Sequence, residues 1–326
     1  MTNSLERNIA SLWGLGEKTK FPGTLASFVC LIFSFLSYYF FDEKIHTILF
    51  FIFLILGYWA IHVIHKSNEP KDYSWIVIDE WIGMWLASFF LFESDFTLVA
   101  KIWVAIGVFV IFRIIDIIKF IPPINIIDKK KEQTAISVIL DDIIAGCYSY
   151  AVLMIAFGFY NISFIYSSFL ILLPAIIANM TPVLLGRIRK FSRPMNEEIF
   201  GKNKTWRGFL GGIFAGTLSY PLLLETNFIH VAQNENFIFL LGFLLSFGAL
   251  TGDLVKSYFK RKIGKKEGEG WVPWDQIDYV LGAIIATYFI YDYSFKNIVL
   301  MLIIGGIMSA LAHRFAYLIK IINTKW

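Results

Sequence analysis

Long apolar runs separated by short polar ones organise this chain. Runs of the roughly 17 to 25 residues that a helix needs to cross a bilayer fall near 25–41, 45–64, 75–92, 98–118, 136–158, 164–185, 207–224, 237–257, 276–292 and 297–319. They predict an all-α polytopic membrane protein of about ten transmembrane helices in two five-helix units, residues 1–160 and 161–326. The junction "GFYNISF" reads as a tight outer loop. The halves share no matched motifs or paired Gly and Pro breaks, so they read as two unlike units fused, unlike the inverted repeats of a transporter. Leu5 to Leu12 reads as a short interfacial helix, and the N-terminus lacks a secretory signal pattern.

Composition agrees, since 57% of residues are hydrophobic and 18% aromatic, against roughly 45 to 50% apolar content in soluble domains. The basic residues orient the chain: 25 of the 29 Lys and Arg fall in alternate loops or at the termini. Lys44, Lys101 and Lys296 fall on the opposite side, and Arg113 lies inside a span. This asymmetry predicts cytoplasmic termini and residence in the cell inner (cytoplasmic) membrane as a multi-pass protein. The net charge of +4 is a topology signal and implies no nucleic-acid partner. Cys30 and Cys147 both fall in predicted spans without metal-type spacing, and read as packing residues.

Against this background the stretch "SWIVIDEWIGMWLASFF" (74–90) stands out, because an acid at the bilayer centre costs roughly 2.5 to 3.5 kcal/mol on insertion scales. The predicted topology puts Asp79 and Glu80 one turn into span three from the cytoplasm. Arg113 and Asp116 lie in the last turns of span four, and Asp141 and Asp142 open span five. Asp253 lies near the cytoplasmic end of span eight, and Asp275 and Asp278 at the mouth of span nine. All the embedded acids thus gather near one face, as two clusters of carboxylates at the cytoplasmic interface. An ion pathway would place acids at the midplane.

In the first half, Arg113, Asp116 and Lys119 are spaced by three and share a helix face, so one carboxylate is flanked by two cations. Asp141 and Asp142 precede Ala145 and Gly146, small residues that let a helix or ligand approach closely. The loop "GLGEKTKFPGT" offers Lys18, Lys20 and a helix start near Thr24, either a phosphate cradle or a plain turn capped by Thr24. No cysteine is followed by the Arg of a thiol phosphatase, and no Asp-x-Asp or Pro-Ser-Gly-His pattern occurs in this half. Metal-dependent attack by water remains.

The second half holds the densest motif, "GALTGDLVKSYFKRKIGKKEGEGWVPWDQIDYVLGA" (248–283). Asp253, Lys260, Arg261, a Gly-rich basic loop, Asp275 and Asp278 are the parts from which a triphosphate site with magnesium is built. The competing reading is a basic loop held by anionic lipid. "GKNKTWRGFLGG" adds Lys204, Thr205 and Arg207 ahead of small residues, while "NMTP" (179–182) reads as a span terminus.

"FPGTLAS", "WIVIDEWIGMW", "FRIIDIIK" and "ILDDIIAG", in this order, make residues 8–155 resemble the phosphatidylglycerophosphatase A family of magnesium-dependent lipid phosphatases. The resemblance implies hydrolysis of phosphatidylglycerophosphate, with metal or phosphate roles for Asp79, Glu80, Arg113, Asp116, Lys119, Asp141 and Asp142; metal is assigned to Asp79, Glu80, Asp116 and Asp142. Lys119-Phe120 stands where that family usually has Lys-Pro, and its glycine pair before Asp-Asp is missing.

"NMTPV", "GKNKTWRG", "GDLVKSYFKR" and "DQIDYVLGA" make residues 165–320 similar to the CDP-archaeol synthase branch of the phosphatidate cytidylyltransferases. That resemblance implies transfer of a cytidylyl group from CTP to a phosphatidic-acid-like lipid with Mg2+. Asp253, Asp275 and Asp278 would bind metal, and Lys204, Arg207, Lys260 and Arg261 would hold phosphates. Together these imply a bifunctional phospholipid-synthesis enzyme whose partners are phospholipids and CTP. The rivals are a chain with one active half and a flippase of phosphorylated lipids.

Overall fold

The computed structural model describes residues 4–41, 43–68, 70–92, 97–119, 124, 134–186, 193–219, 235–265 and 269–318. The described structure is helical, apart from an isolated antiparallel bridge between Pro194 and Thr205. It divides into two compact units, Met1–Tyr160 and Asn161–Trp326.

The first unit contains α1 (Leu5–Ala10), a 3-10 turn (Leu15–Glu17), α2 (Pro22–Phe40), α3 (Glu43–Ser67), α4 (Ile78–Ser88), α5 (Leu98–Ile118) and α6 (Ala135–Ala156). Within the stretch 5–12, where a short helix was expected, α1 forms over Leu5–Ala10. Its buried end accepts a hydrogen bond at Ala10 O from Val77 N (2.9 Å), tying it to the entry of α4. Polar side chains start the spans: Thr97 Oγ1 accepts from Ala100 N, and Thr134 Oγ1 from Ser137 N, each satisfying an N–H that has no partner within its helix. On α5, Val99, Trp103, Ile106, Val110 and Ile114 are exposed while Val104, Val108, Phe112 and Ile115 are buried. Two apolar faces on one helix are what a helix between lipid and protein requires.

At the centre lies α4, with ten of its eleven residues buried, packed against α2, α3, α5 and α6. A polar staple joins three of these helices. Trp85 Nε1 donates to His46 Nε2 at 2.7 Å, and His46 Nδ1 lies 2.7 Å from Ser37 Oγ. Because an indole N–H can only donate, Nε2 accepts and the imidazole proton sits on Nδ1. Ser37 Oγ donates in turn to Ser34 O (2.9 Å), so this serine–histidine pair is structural. Cys30 is buried with Sγ 3.2 Å from Trp81 O, and Cys147 is half-buried; both pack as expected.

The second unit contains α7 (Ile162–Leu185), a single turn (Glu197–Phe200), α8 (Trp206–Ser219), α9 (Glu235–Lys262), α10 (Trp274–Thr287) and α11 (Phe295–Leu318). Leu172, Ala175 and Ile176 of α7, Leu245 and Ala249 of α9, Tyr279, Val280 and Ala283 of α10 and Met301 of α11 share one core. Glycines set its closest crossings. A Cβ on Gly282 would be driven into Gly248 O, and one on Gly212 would lie 2.7 Å from Ala178 O. Backbones therefore touch with no side chain between them. Gly282→Ala is expected to destabilise the protein by about 1 to 3 kcal/mol through overpacking. A thermal melt of the full chain in detergent, showing the midpoint unchanged, would refute this.

Among the described residues, seven of the ten expected spans are helices long and apolar enough to cross a membrane: α2, α3, α5, α6, α7, α9 and α11. The chain is a multi-pass membrane protein. The described residues of the other three expected spans hold shorter helices. Stretch 75–92 becomes α4 and a 3-10 turn (Phe89–Phe92), and 276–292 is largely α10. Stretch 207–224 holds α8, with 220–224 outside the described residues. At 1.5 Å per residue, an 11-residue α4 falls short of a hydrocarbon core about 30 Å thick.

Candidate active sites

In the first unit, four helix ends meet. Asp79 and Glu80 lie in the first turn of α4 and Arg113 and Asp116 in the last turns of α5. Asp141 and Asp142 lie in the second turn of α6, and the first turn of α2 comes so close that a Cβ on Gly23 would strike the Glu80 carboxylate. The α4–α6 crossing locks the arrangement: a Cβ on Gly83 would lie 2.5 Å from Asp142 O, and one on Gly146 would strike Gly83 O. The small residues after Asp141-Asp142 thus admit a helix. Asp79, Asp116, Asp141 and Asp142 are all buried.

Cations neutralise part of this charge. Arg113 Nη1 donates to Asp116 Oδ2 at 2.5 Å and to Ser27 Oγ at 3.4 Å, and Lys119 Nζ donates to Asp141 Oδ2 at 2.8 Å. Lys119 pairs with an acid of the neighbouring helix, Asp141. At φ 48° it is left-handed and ends α5, so its side chain leaves the helix face and reaches α6. Among the described residues, three carboxylate oxygens, Glu80 Oε2, Asp141 Oδ1 and Asp142 Oδ1, are buried without a hydrogen-bond partner. The expected phosphate loop is less engaged: Lys18 and Lys20 are exposed. Thr24 is not the cap, since α2 begins at Pro22 with Phe21 in the capping position; proline, having no N–H to satisfy, suits a first helical position.

The second unit builds its cluster where α9 crosses α10. A Cβ on Gly252 would be driven into Asp278 O, so this contact holds Asp278 beside the α9 turn that carries Asp253. Asp275 and Asp278, one turn apart at the start of α10, face the same way. At the centre stands Lys256, its Nζ 3.1 Å from Asp253 Oδ1, 3.0 Å from Asp275 Oδ1 and 2.9 Å from Asp278 Oδ2. The last contact is an ion pair by distance without the angle of a hydrogen bond. Lys204 pairs with Asp253, and Lys260 Nζ donates to both oxygens of Asp275 at 3.0 and 2.9 Å. Arg261 instead donates to Lys265 O (2.6 Å) past the end of α9.

A cavity of about 660 Å3 opens beside this cluster, lined by Asn179, Pro182, Lys204, Thr205, Asp253 and Lys256, with Leu250, Phe209 and His313 among the other walls. Within the "NMTP" stretch read as a span terminus, which falls in the last two turns of α7, Asn179 and Pro182 line this cavity. Arg207, in the first turn of α8, is not among the lining residues.

Two family models match the chain in tandem, phosphatidylglycerophosphatase A over residues 8–157 and CDP-archaeol synthase over residues 159–326. The chain belongs to the CDP-archaeol synthase family, with a phosphatidylglycerophosphatase A domain preceding the synthase-family half. The CDP-archaeol synthase of Thermococcus gammatolerans is 37% identical over 150 residues, covering 45% of this chain and 87% of that protein. The enzyme of Pyrococcus abyssi is 33% identical over 166 residues, covering 50% and 98%. A solved structure of an intramembrane enzyme for archaeal membrane lipids biosynthesis is 26% identical, with a TM-score of 0.37, covering 46% of this chain and 92% of that one. Both halves of this membrane protein thus belong to enzyme families of lipid biosynthesis.

These families imply magnesium, and the donor chemistry of both halves suits it, because hard divalent cations take carboxylate oxygens. Among the described residues, no three His, Cys, Asp or Glu side chains stand together as a ready-made cation site. In the phosphatase A domain, the three unpartnered oxygens of Glu80, Asp141 and Asp142 are the atoms a cation would satisfy. In the synthase-family half, the Lys256 ammonium occupies the centre of the carboxylates. Lys256 was not singled out from sequence. Its spacing of three from Asp253 was a visible signal, but its contacts to Asp275 and Asp278 cross a loop.

Proposed function

We propose that the chain is a bifunctional enzyme of anionic phospholipid synthesis working from the cytoplasmic face of the inner membrane, with both termini on that side. Residues 1–160 would hydrolyse phosphatidylglycerophosphate to phosphatidylglycerol and phosphate. Residues 161–326 would transfer CMP from CTP to a phosphatidic-acid-like lipid, releasing pyrophosphate. The observation that carries this reading is that in each half the family's motif residues converge from separate helices at a glycine-lined crossing, in the second half beside a cavity with polar and apolar walls.

Magnesium bound at either cluster would supply Lewis-acid polarisation of phosphoryl oxygens. In the synthase-family half, Lys204 and Lys260 hold and neutralise phosphates, and Lys204 faces the cavity. The lipid phosphate oxygen forms a bond to the α-phosphorus of CTP while the α–β bridging P–O bond breaks and pyrophosphate leaves. The apolar walls, Phe209 and Leu250, take the beginning of the lipid chain. In the phosphatase domain, Arg113 orients the phosphate and a carboxylate of the Asp141-Asp142 pair accepts a proton from the attacking water. The water oxygen bonds to the terminal phosphorus as its P–O bond to the headgroup glycerol breaks, and the carboxyl returns the proton to the leaving glycerol oxygen, giving phosphatidylglycerol and phosphate.

Purified protein in detergent with magnesium should release pyrophosphate from CTP plus phosphatidate and phosphate from phosphatidylglycerophosphate, and EDTA should stop both. If neither product forms, the reading fails; one product alone leaves a chain with a single working half.

A further inference from the structure

The cluster of the synthase-family half is electrically closed. Three carboxylates, Asp253, Asp275 and Asp278, meet three ammonium groups, Lys204, Lys256 and Lys260, and each carboxylate is shared by Lys256 and at least one other donor. The further donors include Trp271 N on Asp275 (2.5 Å) and Tyr279 N on Asp278 (2.7 Å). Lys256 holds the middle position, about 3 Å from oxygens of two helices. A divalent ion bridging these carboxylates would sit 2.0 to 2.6 Å from its oxygens, and an ammonium cannot share that space with it, because like charges repel strongly in a partly buried site. Metal and Lys256 are therefore mutually exclusive there. The phosphatase domain is built differently, with five carboxylates and unpartnered oxygens in place of a central lysine.

We propose that Lys256 is a placeholder cation. It holds the three carboxylates together before substrate binds, leaves when a divalent ion arrives, and moves into the cavity that it already lines to pair with the phosphates of the incoming nucleotide. The inference rests on reading this half as a nucleotide-using site. It sets an order: the ion enters with the nucleotide, whose phosphates supply the anion for the displaced ammonium. Metal and nucleotide affinities are then reciprocally coupled.

Manganese binding to the full-length chain, counted by equilibrium dialysis and by the loss of the free Mn2+ electron paramagnetic resonance signal, tests this without any turnover. Without nucleotide, Lys256→Gln is expected to bind one more Mn2+ per chain than wild type, with that site tightened about tenfold or more by loss of the competing charge. Lys256→Arg keeps the charge and should reproduce the wild-type isotherm. Wild type should gain the same ion when a CTP analogue with a non-hydrolysable α–β bridge is added at equal concentration to protein.

Superimposable isotherms for wild type and Lys256→Gln would overturn the proposal, as would a wild-type chain that holds the ion without nucleotide. The wild-type arms decide the question if Lys256→Gln does not fold. A CTP analogue that does not bind at all overturns the functional reading instead, and the nucleotide-free comparison still judges Lys256.

Discussion

Asp278→Asn is expected to lower cytidylyl transfer about a hundredfold, the loss seen when one key electrostatic group is removed from a preorganised site, while phosphate release stays near wild type. Asp278 is buried, its Oδ1 accepts from Tyr279 N and its Oδ2 faces Lys256. The amide keeps the size but leaves three ammonium groups against two carboxylates and replaces a hard oxygen donor. Pyrophosphate and phosphate release measured on one preparation check the result. The phosphatase serves as the folding control, since its acids lie in the other compact unit. Transfer within threefold of wild type would make Asp278 structural.

Asp142→Asn should abolish phosphate release by a similar factor and spare cytidylyl transfer, and it carries a second signature. Because Asp142 Oδ1 has no hydrogen-bond partner among the described residues, removing the charge relieves repulsion among buried carboxylates without breaking a contact at that atom. In EDTA the thermal midpoint should be equal to or above that of wild type, whereas added magnesium should stabilise wild type more than the variant. Asp116→Asn contrasts with it, because Asp116 pairs with Arg113 at 2.5 Å and its substitution breaks that ion pair. A lower midpoint for Asp142→Asn in EDTA would show that this carboxylate stabilises the fold.

Much of this was legible because membrane helices announce themselves by length and apolarity, and because acids in such helices are expensive enough to have a purpose. The starts of α5, α6 and α7 follow from Thr97, Thr134 and Asn161, each accepting a backbone N–H of the first turn. Hydropathy was mute on the direction an apolar side chain faces. Trp81, Met84 and Trp85 of α4 look as lipid-ready as Val99, Trp103 and Val110 of α5, yet the first three are buried in protein and the others exposed. The placement of Lys119 was hidden because one left-handed residue breaks the helical register on which the spacing argument depends. Lys256 was hidden because two of its three partners lie on the next helix, and periodicity reports only on a residue's own element.

One contact recurs in both halves: the backbone carbonyl of an acid, Asp142 or Asp278, rests on a glycine of the neighbouring helix, Gly83 or Gly252. Such a contact is a fulcrum. Sliding one helix along the other would bring the side chains one turn from the glycine, such as Leu86 or Ala87, against the carbonyl and is blocked sterically, whereas tilting about the contact is not. Were either half to open for a substrate, the far ends of the crossing helices could swing while the acid at the pivot hardly moved, so entry and chemistry would not compete for the same degree of freedom.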